Sequence, residues 1–259
     1  MTTNSSSLME AAVEVARLAG DVANRFFQRA LDLETKADGS PVTAADRAAE
    51  TTAREWLSRR FAGDRIVGEE FGETAARSDR AWFIDPIDGT RTFVRGVPLW
   101  GTLVGVAVDG AVVAGAAYFP ALGEMLHAGT GAGCWWNGAR ARVSSISTLD
   151  AAAVVTTDEQ FRAAPECLER WRELASRASI SRTWGDCYGY LLVATGRAEV
   201  MADGRLAGWD AAPFFPAINE AGGVLTDWTG AQTPFAGNAI ATNAALAKTV
   251  RDILARPMR

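Results

Sequence analysis

Trp82-Phe83-Ile84-Asp85-Pro86-Ile87-Asp88-Gly89-Thr90 is the stretch on which the reading of this chain turns. Its apolar start reads as a strand that delivers Asp85 to its C-terminal end. Pro86 fixes the turn, and Asp88 follows Asp85 by three residues. Gly89 and Thr90 then open a helix, leaving free backbone N–H groups beside two carboxylates. Carboxylate oxygens are hard ligands suited to Mg²⁺, and a helix N-terminus receives phosphate oxygens. The combination therefore fits a metal-bound phosphate. A bare Asp-x-x-Asp is more often a capped turn; here the preceding strand and the following Gly-Thr favour the metal.

Two further acidic elements lie on either side of it. Ile66-Val67-Gly68-Glu69-Glu70 places carboxylates at another strand end, and Gly208-Trp209-Asp210-Ala211-Ala212 places Asp210 in the first turn of a helix. Taken singly, the first reads as a solvated turn and the second as a favourable charge at a helix start. A haloacid-dehalogenase-type phosphatase needs aspartates two residues apart, so the spacing of three disfavours that chemistry. The single histidine, His127, stands in an apparent strand, Glu124-Met125-Leu126-His127-Ala128. A His-rich zinc site cannot be built from it, and a Ser-His-Asp triad would depend on it alone. Carboxylate chemistry is what remains.

The composition narrows the partners. With 48% apolar and 22% charged residues the 259-residue chain is globular, and a net charge of −5 without basic runs argues against nucleic acid or anionic lipid. Cys134, Cys167 and Cys187 are odd in number and lack metal-ligand spacing, so they read as free thiols in a reducing compartment. Met1 to Ser7 is polar and uncharged, and no run is long and apolar enough to be a secretory or membrane-spanning segment. The expected location is cytoplasmic.

Two textures divide the chain. Ser7-Leu8-Met9-Glu10 reads as a capping box, with Leu8, Ala12, Val15, Ala19, Val22 and Phe26 at helical spacing after it. Asp38-Gly39-Ser40-Pro41 breaks the chain, and Thr43-Ala44-Ala45-Asp46 starts a second helix. Strands follow at Arg65 to Gly68, Leu99 to Val108 and Ala111 to Tyr118, with Asp109-Gly110 and Asn137-Gly138 as two-residue hairpin turns. Residues 1–143 thus read as an α+β unit, two helices on an antiparallel sheet. Residues 144–259 alternate strand and helix and read as α/β. There Cys167 to Ala178, Tyr188 to Thr195 and Asp210 to Ala221 are helices, and a last one ends near Pro257. Pro216 is expected to kink the third of these.

The order of these elements closely resembles the inositol monophosphatase family over nearly the whole chain. The resemblance rests on Lys36-Ala37-Asp38-Gly39-Ser40 with Thr43-Ala44-Ala45-Asp46, on Gly68-Glu69-Glu70, and on Asp85-Pro86-Ile87-Asp88-Gly89-Thr90. It continues through Asn137-Gly138, Ala194-Thr195-Gly196, Trp209-Asp210 and Glu220-Ala221-Gly222-Gly223. It implies a layered αβαβα sugar-phosphatase fold, a homodimer, and a phosphomonoesterase using two or three Mg²⁺ ions. By resemblance, Glu69, Asp85 and the Ile87 carbonyl hold one ion, and Asp85, Asp88 and Asp210 a second. A third would sit on Glu69 and waters, near Asp46. Thr90 corresponds to the hydroxyl that activates water with Glu69 and Asp88 beside it, and the Gly89 and Thr90 amides to the phosphate cradle. Asp203 falls at a contact to substrate hydroxyls, and Asp186 in a loop lining the same pocket.

Phe93-Val94-Arg95-Gly96-Val97-Pro98-Leu99-Trp100 and Trp184-Gly185-Asp186-Cys187-Tyr188-Gly189 resemble the histidinol-phosphate phosphatase branch of that family. An ammonium group and an imidazole would suit acidic and aromatic neighbours, for which Asp186, Asp203, Trp184 and Tyr188 are candidates. The alternatives are an inositol-1-phosphate or other sugar phosphatase, then a nucleotide 3′-phosphatase. A non-catalytic relative would be expected to lack a ligand or Thr90, and all are present.

Overall fold

The computed structural model describes residues 4–29, 33–35, 41–76 and 78–255. The Lys36-Ala37-Asp38-Gly39-Ser40 run and Pro257 lie outside them. Helix α1 (Ser5–Asn24) buries Leu8, Ala12, Val15, Ala19 and Ala23 along one stripe. Its cap is Asn4, whose side chain accepts from the Ser6 N–H, rather than the predicted Ser7. Asn caps as well as Ser, and the earlier start seats Leu8 and Met9 inside the helix and against the core. Strands β1 (Leu33–Thr35) and β2 (Pro41–Thr43) pair antiparallel. Thr43 then caps α2 (Ala44–Arg60) as predicted: its Oγ1 accepts from Ala45 N at 3.0 Å, while Asp46 Oδ2 accepts from Thr43 N at 2.7 Å.

The strands that follow are β3 (Arg65–Gly68), β4 (Gly72–Glu73), β5 (Arg80–Asp88), β6 (Gly101–Val108), β7 (Ala111–Phe119), β8 (Glu124–Gly129), β9 (Gly133–Trp136) and β10 (Ala139–Arg140). They form one sheet in the order β10-β9-β8-β7-β6-β5-β3-β4. Asp109-Gly110 and Asn137-Gly138 make its tight turns with positive φ at both residues, as the hairpin reading requires. One pair departs from the antiparallel expectation: β3 runs parallel to β5, with Gly68 opposite Ile84. Both strands therefore end at the same edge, which brings Glu69 beside Asp85.

The second sheet has the order β12-β11-β13-β15-β14, from β11 (Ala153–Val155), β12 (Ile180–Arg182), β13 (Val200–Asp203), β14 (Gly223–Thr226) and β15 (Ala239–Asn243). Its helices are α4 (Leu168–Arg177), α5 (Asp186–Ala194), α6 (Gly208–Ala211), α7 (Phe214–Glu220) and α8 (Ala247–Leu254), after the short α3 (Thr90–Val94) of the first part. The last helix thus ends at Leu254. The predicted single helix from Asp210 to Ala221 is two. Pro213 separates α6 from α7, and Pro216 falls in the first turn of α7, where its missing N–H leaves no bond unmade.

The three larger cores among the described residues stack between these layers. One joins α1 and α2 to the first sheet through Leu8, Ala49, Trp82, Ile84 and Val104. A second lies between the sheets and takes Leu103, Leu191, Phe214, Ile218 and Met201. The third packs Trp171, Leu174, Val250 and Ile253 on Val200 and Ala202. Val200, Met201 and Ala202 alternate between the second and third of these cores, the two-residue period of a strand covered on both sides. The helix α5 buries Cys187 and Gly189 through Ala194, as a helix enclosed between two sheets must. The layering is the expected αβαβα. No helix among the described residues is long and apolar enough to cross a membrane.

At the middle of this sandwich the backbone of the α6–α7 junction rests directly on glycine. Gly105 and Gly115 are paired across β6 and β7. A Cβ at Gly105 would lie 2.7 Å from Ala212 Cβ, and one at Gly115 would lie 2.4 Å from the Pro213 oxygen. Only residues without a side chain let α6 come this close to the sheet.

Candidate metal centre

Residues i and i+3 on an undisturbed strand point to opposite faces, so Asp85 and Asp88 would part company. A β-bulge prevents it. Asp85 pairs with Leu103 but Asp88 with Gly101, so three steps on β5 are matched by two on β6. Pro86, which has no N–H to give a ladder, sits inside the irregularity, and its carbonyl accepts from Thr102 Oγ1 at 2.7 Å. Asp85 Oδ1 accepts from the Ile87 N–H at 2.9 Å, which closes the bend. Gly89 follows at φ 83°, and a Cβ there would approach Asp186 Oδ2 and the Leu99 carbonyl to 3.3 Å. Thr90 Oγ1 donates to the Ile87 carbonyl at 3.0 Å.

Three elements converge on this bend. Oxygens of Asp85, Asp88 and Asp210 all lie within 4.8 Å of one another. Glu69, Ile87, Gly89 and Thr90 line the same cavity of about 460 Å³. Asp210 is anchored in α6 by accepting from the Ala207 N–H at 3.0 Å. Asp88 Oδ2 accepts from the Cys187 N–H at the start of α5, a contact with no local signal in the sequence.

The charges in this cavity are poorly compensated. Burial raises the Asp85 carboxyl well above its usual range, and the charges of Glu69, Asp88 and Asp210 raise it further. Asp88 is raised for the same reason, burial first and then Asp210 and Asp186. Asp210 is pushed up to about 7 by burial and by Glu69. Asp46, fully buried at the start of α2, keeps Oδ1 without a hydrogen-bond partner, and its carboxyl is raised by burial with a contribution from Glu69. Crowded carboxylates and an orphaned buried oxygen are what an all-oxygen cation site looks like without its cation. The residues present fit divalent metal.

These shifts fix a pH dependence for the metal-free protein. A carboxyl raised in the folded state binds protons that the unfolded chain releases at about pH 4. Its stabilising effect is complete below that pH and is lost as pH rises through the folded value, about 7 for Asp210. In chelator, the melting temperature is expected to fall between about pH 5 and about pH 8, and Asp210→Asn should flatten the slope. A wild-type slope unchanged in Asp210→Asn would show that Asp210 is not among the protons involved.

The remaining predicted residues divide. Asp186 stands at the rim, half-buried, with Oδ2 accepting from Thr92 Oγ1 at 3.3 Å and a left-handed φ of 48°. Its own N–H donates to Thr157 Oγ1 at 2.8 Å. Asp203 is not in the metal cavity: it lines a neighbouring cavity of about 120 Å³ with Thr156, Thr157, Asp158 and Arg205. There it accepts from Thr157 N at 3.2 Å and Tyr190 Oη at 3.0 Å, and burial pushes its pKa up to about 7. Arg205 lines both cavities, a position the sequence reading missed.

Tyr188 is a correction. Two residues beyond Asp186 on a helix, it turns to the opposite flank, donates to Glu124 Oε1 at 3.1 Å and packs edge-on against Phe119. Trp184 is 42% exposed on the surface. His127 faces α1, its pKa lowered by burial and by Arg17. All three cysteines are free and buried, and the Cys187 thiol is raised well above its usual range by burial and by Asp88.

The model of the inositol monophosphatase family matches residues 4–256. A histidinol-phosphatase of Chlorobaculum parvum is 41% identical over 233 residues, 90% of each chain. One of Mycobacterium tuberculosis is 39% identical over 227 residues, 86% of this chain and 87% of its own. Among solved structures, the extragenic suppressor protein suhB of Bartonella henselae superposes with a TM-score of 0.91 at 27% identity, covering 97% of this chain and all of that one.

Proposed function

Since the chain belongs to the inositol monophosphatase family and is a phosphomonoesterase, we propose that it hydrolyses L-histidinol phosphate to L-histidinol and phosphate with Mg²⁺. The observation that carries the substrate is the similarity to histidinol-phosphatases across most of the chain, at 41% and 39% identity. In this reading residues 1–143 contribute Glu69, Asp85 and Asp88, residues 144–259 contribute Asp186 and Asp210, and the reaction takes place at their junction.

Two or three Mg²⁺ ions would be held by Glu69, Asp85, the Ile87 carbonyl, Asp88 and Asp210, and when bound they neutralise the phosphoryl oxygens and the leaving alkoxide. The chain's own groups do the rest. The Gly89 and Thr90 amides, at the start of α3, receive the phosphate oxygens. Thr90 Oγ1, which donates to the Ile87 carbonyl, accepts from a water and orients it, and the Glu69 carboxylate takes up that water's proton. The water oxygen bonds to phosphorus as the bond from phosphorus to the alcohol oxygen breaks, and the alkoxide takes a proton from solvent water in the open cavity while Glu69 returns its own to solvent. No histidine is required for any of this.

Asp186 gives the proposed discrimination. At the rim beside Gly89 it offers a carboxylate to an ammonium group, whereas a neutral, hydroxyl-rich ring makes no charge-assisted bond with it. Such a bond is worth about 1.5–3 kcal/mol, or about ten- to a hundred-fold in kcat/KM. Phosphate release across a panel of phosphomonoesters is therefore expected to be most efficient with L-histidinol phosphate, ahead of inositol 1-phosphate. Asp186→Ala should narrow the gap more than it slows inositol 1-phosphate. A wild type that prefers inositol 1-phosphate, or an Asp186→Ala variant slowed by the same factor on both substrates so that the gap persists, overturns the histidinol-phosphate assignment.

A further inference from the structure

Asp46 and Glu50 stand four residues apart on the buried face of α2, among Ala45, Ala49 and Ala53. A buried carboxylate is tolerated only when its oxygens are used. Those of Glu50, which is fully buried, are used on one short segment. Oε2 accepts from the Glu70 N–H at 2.7 Å, and Oε1 accepts from the Phe71 N–H at 3.2 Å and from Arg54 Nε at 2.7 Å. Arg54 also donates to the Gly72 carbonyl. One ion pair on α2 thus grips the backbone of residues 70 to 72.

The grip is close. A Cβ at Gly68 would lie 2.0 Å from Glu50 Oε1 and 2.8 Å from Arg54 Nη2, so glycine is what lets the carboxylate reach the chain. Between Gly68 and Glu70 lies Glu69, whose own N–H donates to the Ile84 carbonyl at 3.1 Å. Its backbone is fixed on one side by β5 and on the other by Glu50, and its side chain lines the carboxylate cavity.

We propose that Glu50, with Arg54 paired to it, is a positioning residue for the metal centre: the pair's hold on the 70–72 backbone, Glu50 on the 70 and 71 N–H groups and Arg54 on the 72 carbonyl, aims Glu69 into the cavity and sets the affinity for divalent cation there. The inference rests on the reading of Glu69 as a ligand. Glu50→Gln keeps the volume but turns an amide N–H₂ toward backbone donors, so one of the held N–H groups loses its acceptor. Removing an outer partner of a metal ligand typically weakens metal binding by about 10- to 100-fold.

The test is Mn²⁺ titration by calorimetry, with melting temperature in chelator as a second readout, on wild type, Glu50→Gln, Glu69→Gln and the double variant. Glu50→Gln is expected to raise the Mn²⁺ Kd about tenfold. The double variant should bind no more weakly than Glu69→Gln alone, because both act through one carboxylate. If Glu69→Gln weakens binding while Glu50→Gln lowers only the melting temperature, Glu50 is structural and the inference is overturned. If Glu69→Gln leaves the Kd unchanged, the ligand reading itself fails. Should Glu50→Gln not fold, Arg54→Ala serves, since it frees the Gly72 carbonyl while leaving the Glu50 carboxylate. A raised Kd in Arg54→Ala supports the proposal, and an unchanged one overturns it.

Discussion

Chelation is expected to abolish phosphate release, by at least about a thousandfold, and Mg²⁺ to restore it. Each tenfold in rate is about 1.4 kcal/mol of barrier, so this asks about 4 kcal/mol of the metal, within the several kcal/mol that a bound cation contributes. The structural ground is the meeting of Asp85, Asp88 and Asp210 within 4.8 Å, in a cavity that Glu69 also lines. No ion pair among the described residues involves those three aspartates. Without a cation, burial and the neighbouring carboxylates raise all three, which favours the protonated form that neither holds metal nor stabilises charge. Mg²⁺ should also raise the melting temperature, because it binds only the folded cluster. Undiminished turnover in excess chelator would sink the mechanism.

Asp88→Asn and Asp210→Asn come next in size. Each keeps the shape of the side chain and removes a charge from the cluster, so the loss should fall mainly on kcat. Removal of one preorganised group facing a developing oxyanion costs about 10²–10³-fold elsewhere, and about a hundredfold or more is expected here. Asp88→Asn has a second way to fail, because its Oδ2 also accepts from the Cys187 N–H in the first turn of α5. An amide nitrogen turned toward Cys187 would meet a donor, so its oxygen must face α5 and its nitrogen the cavity. His127→Ala is the control: the imidazole faces α1, away from the carboxylates, and its loss should be nearly silent. A dead His127→Ala beside active aspartate variants would overturn the assignment.

The parts of the molecule that the sequence made legible are those where local chemistry decides. Asp109-Gly110 and Asn137-Gly138 demand positive φ twice, and only a tight hairpin provides that geometry. Thr43 with Asp46 caps α2 because both halves of the box lie within four residues. The convergence of Asp85, Asp88 and Asp210 was legible through the family resemblance, and the bulge that makes it possible shows in sequence only as Pro86. What the sequence hid depends on partners far along the chain. Tyr188 looked available to a ligand because nothing local says that Glu124 and Phe119 will claim it. Asp203 is expected at a contact to substrate hydroxyls, and strand β13 sets it in the small cavity beside the carboxylate cluster, a placement no local signal specifies. Strands β4 and β12 were missed: β4 is two exposed residues, and β12 has its Ile180 and Arg182 exposed, so neither carries an apolar pattern. The burial of Glu50 had one faint signal, a second acidic residue one turn after Asp46 among the alanines of one helix face.

For anyone engineering this protein, the glycine pair beneath the α6–α7 junction inverts a familiar rule. Replacing glycine inside a secondary-structure element by alanine usually gains about 0.4–1 kcal/mol, because the unfolded chain loses freedom. Gly105 and Gly115, in the interior of well-paired strands, look like ideal targets for that treatment. Yet the added methyl at Gly115 would meet the Pro213 backbone at 2.4 Å, and backbone in a dense interior cannot step aside as a flexible side chain can. The displacement would travel along α6 to Asp210, three residues away. A stabilisation campaign guided by strand propensity alone would thus choose the substitutions that pry one carboxylate of the cluster from the other two.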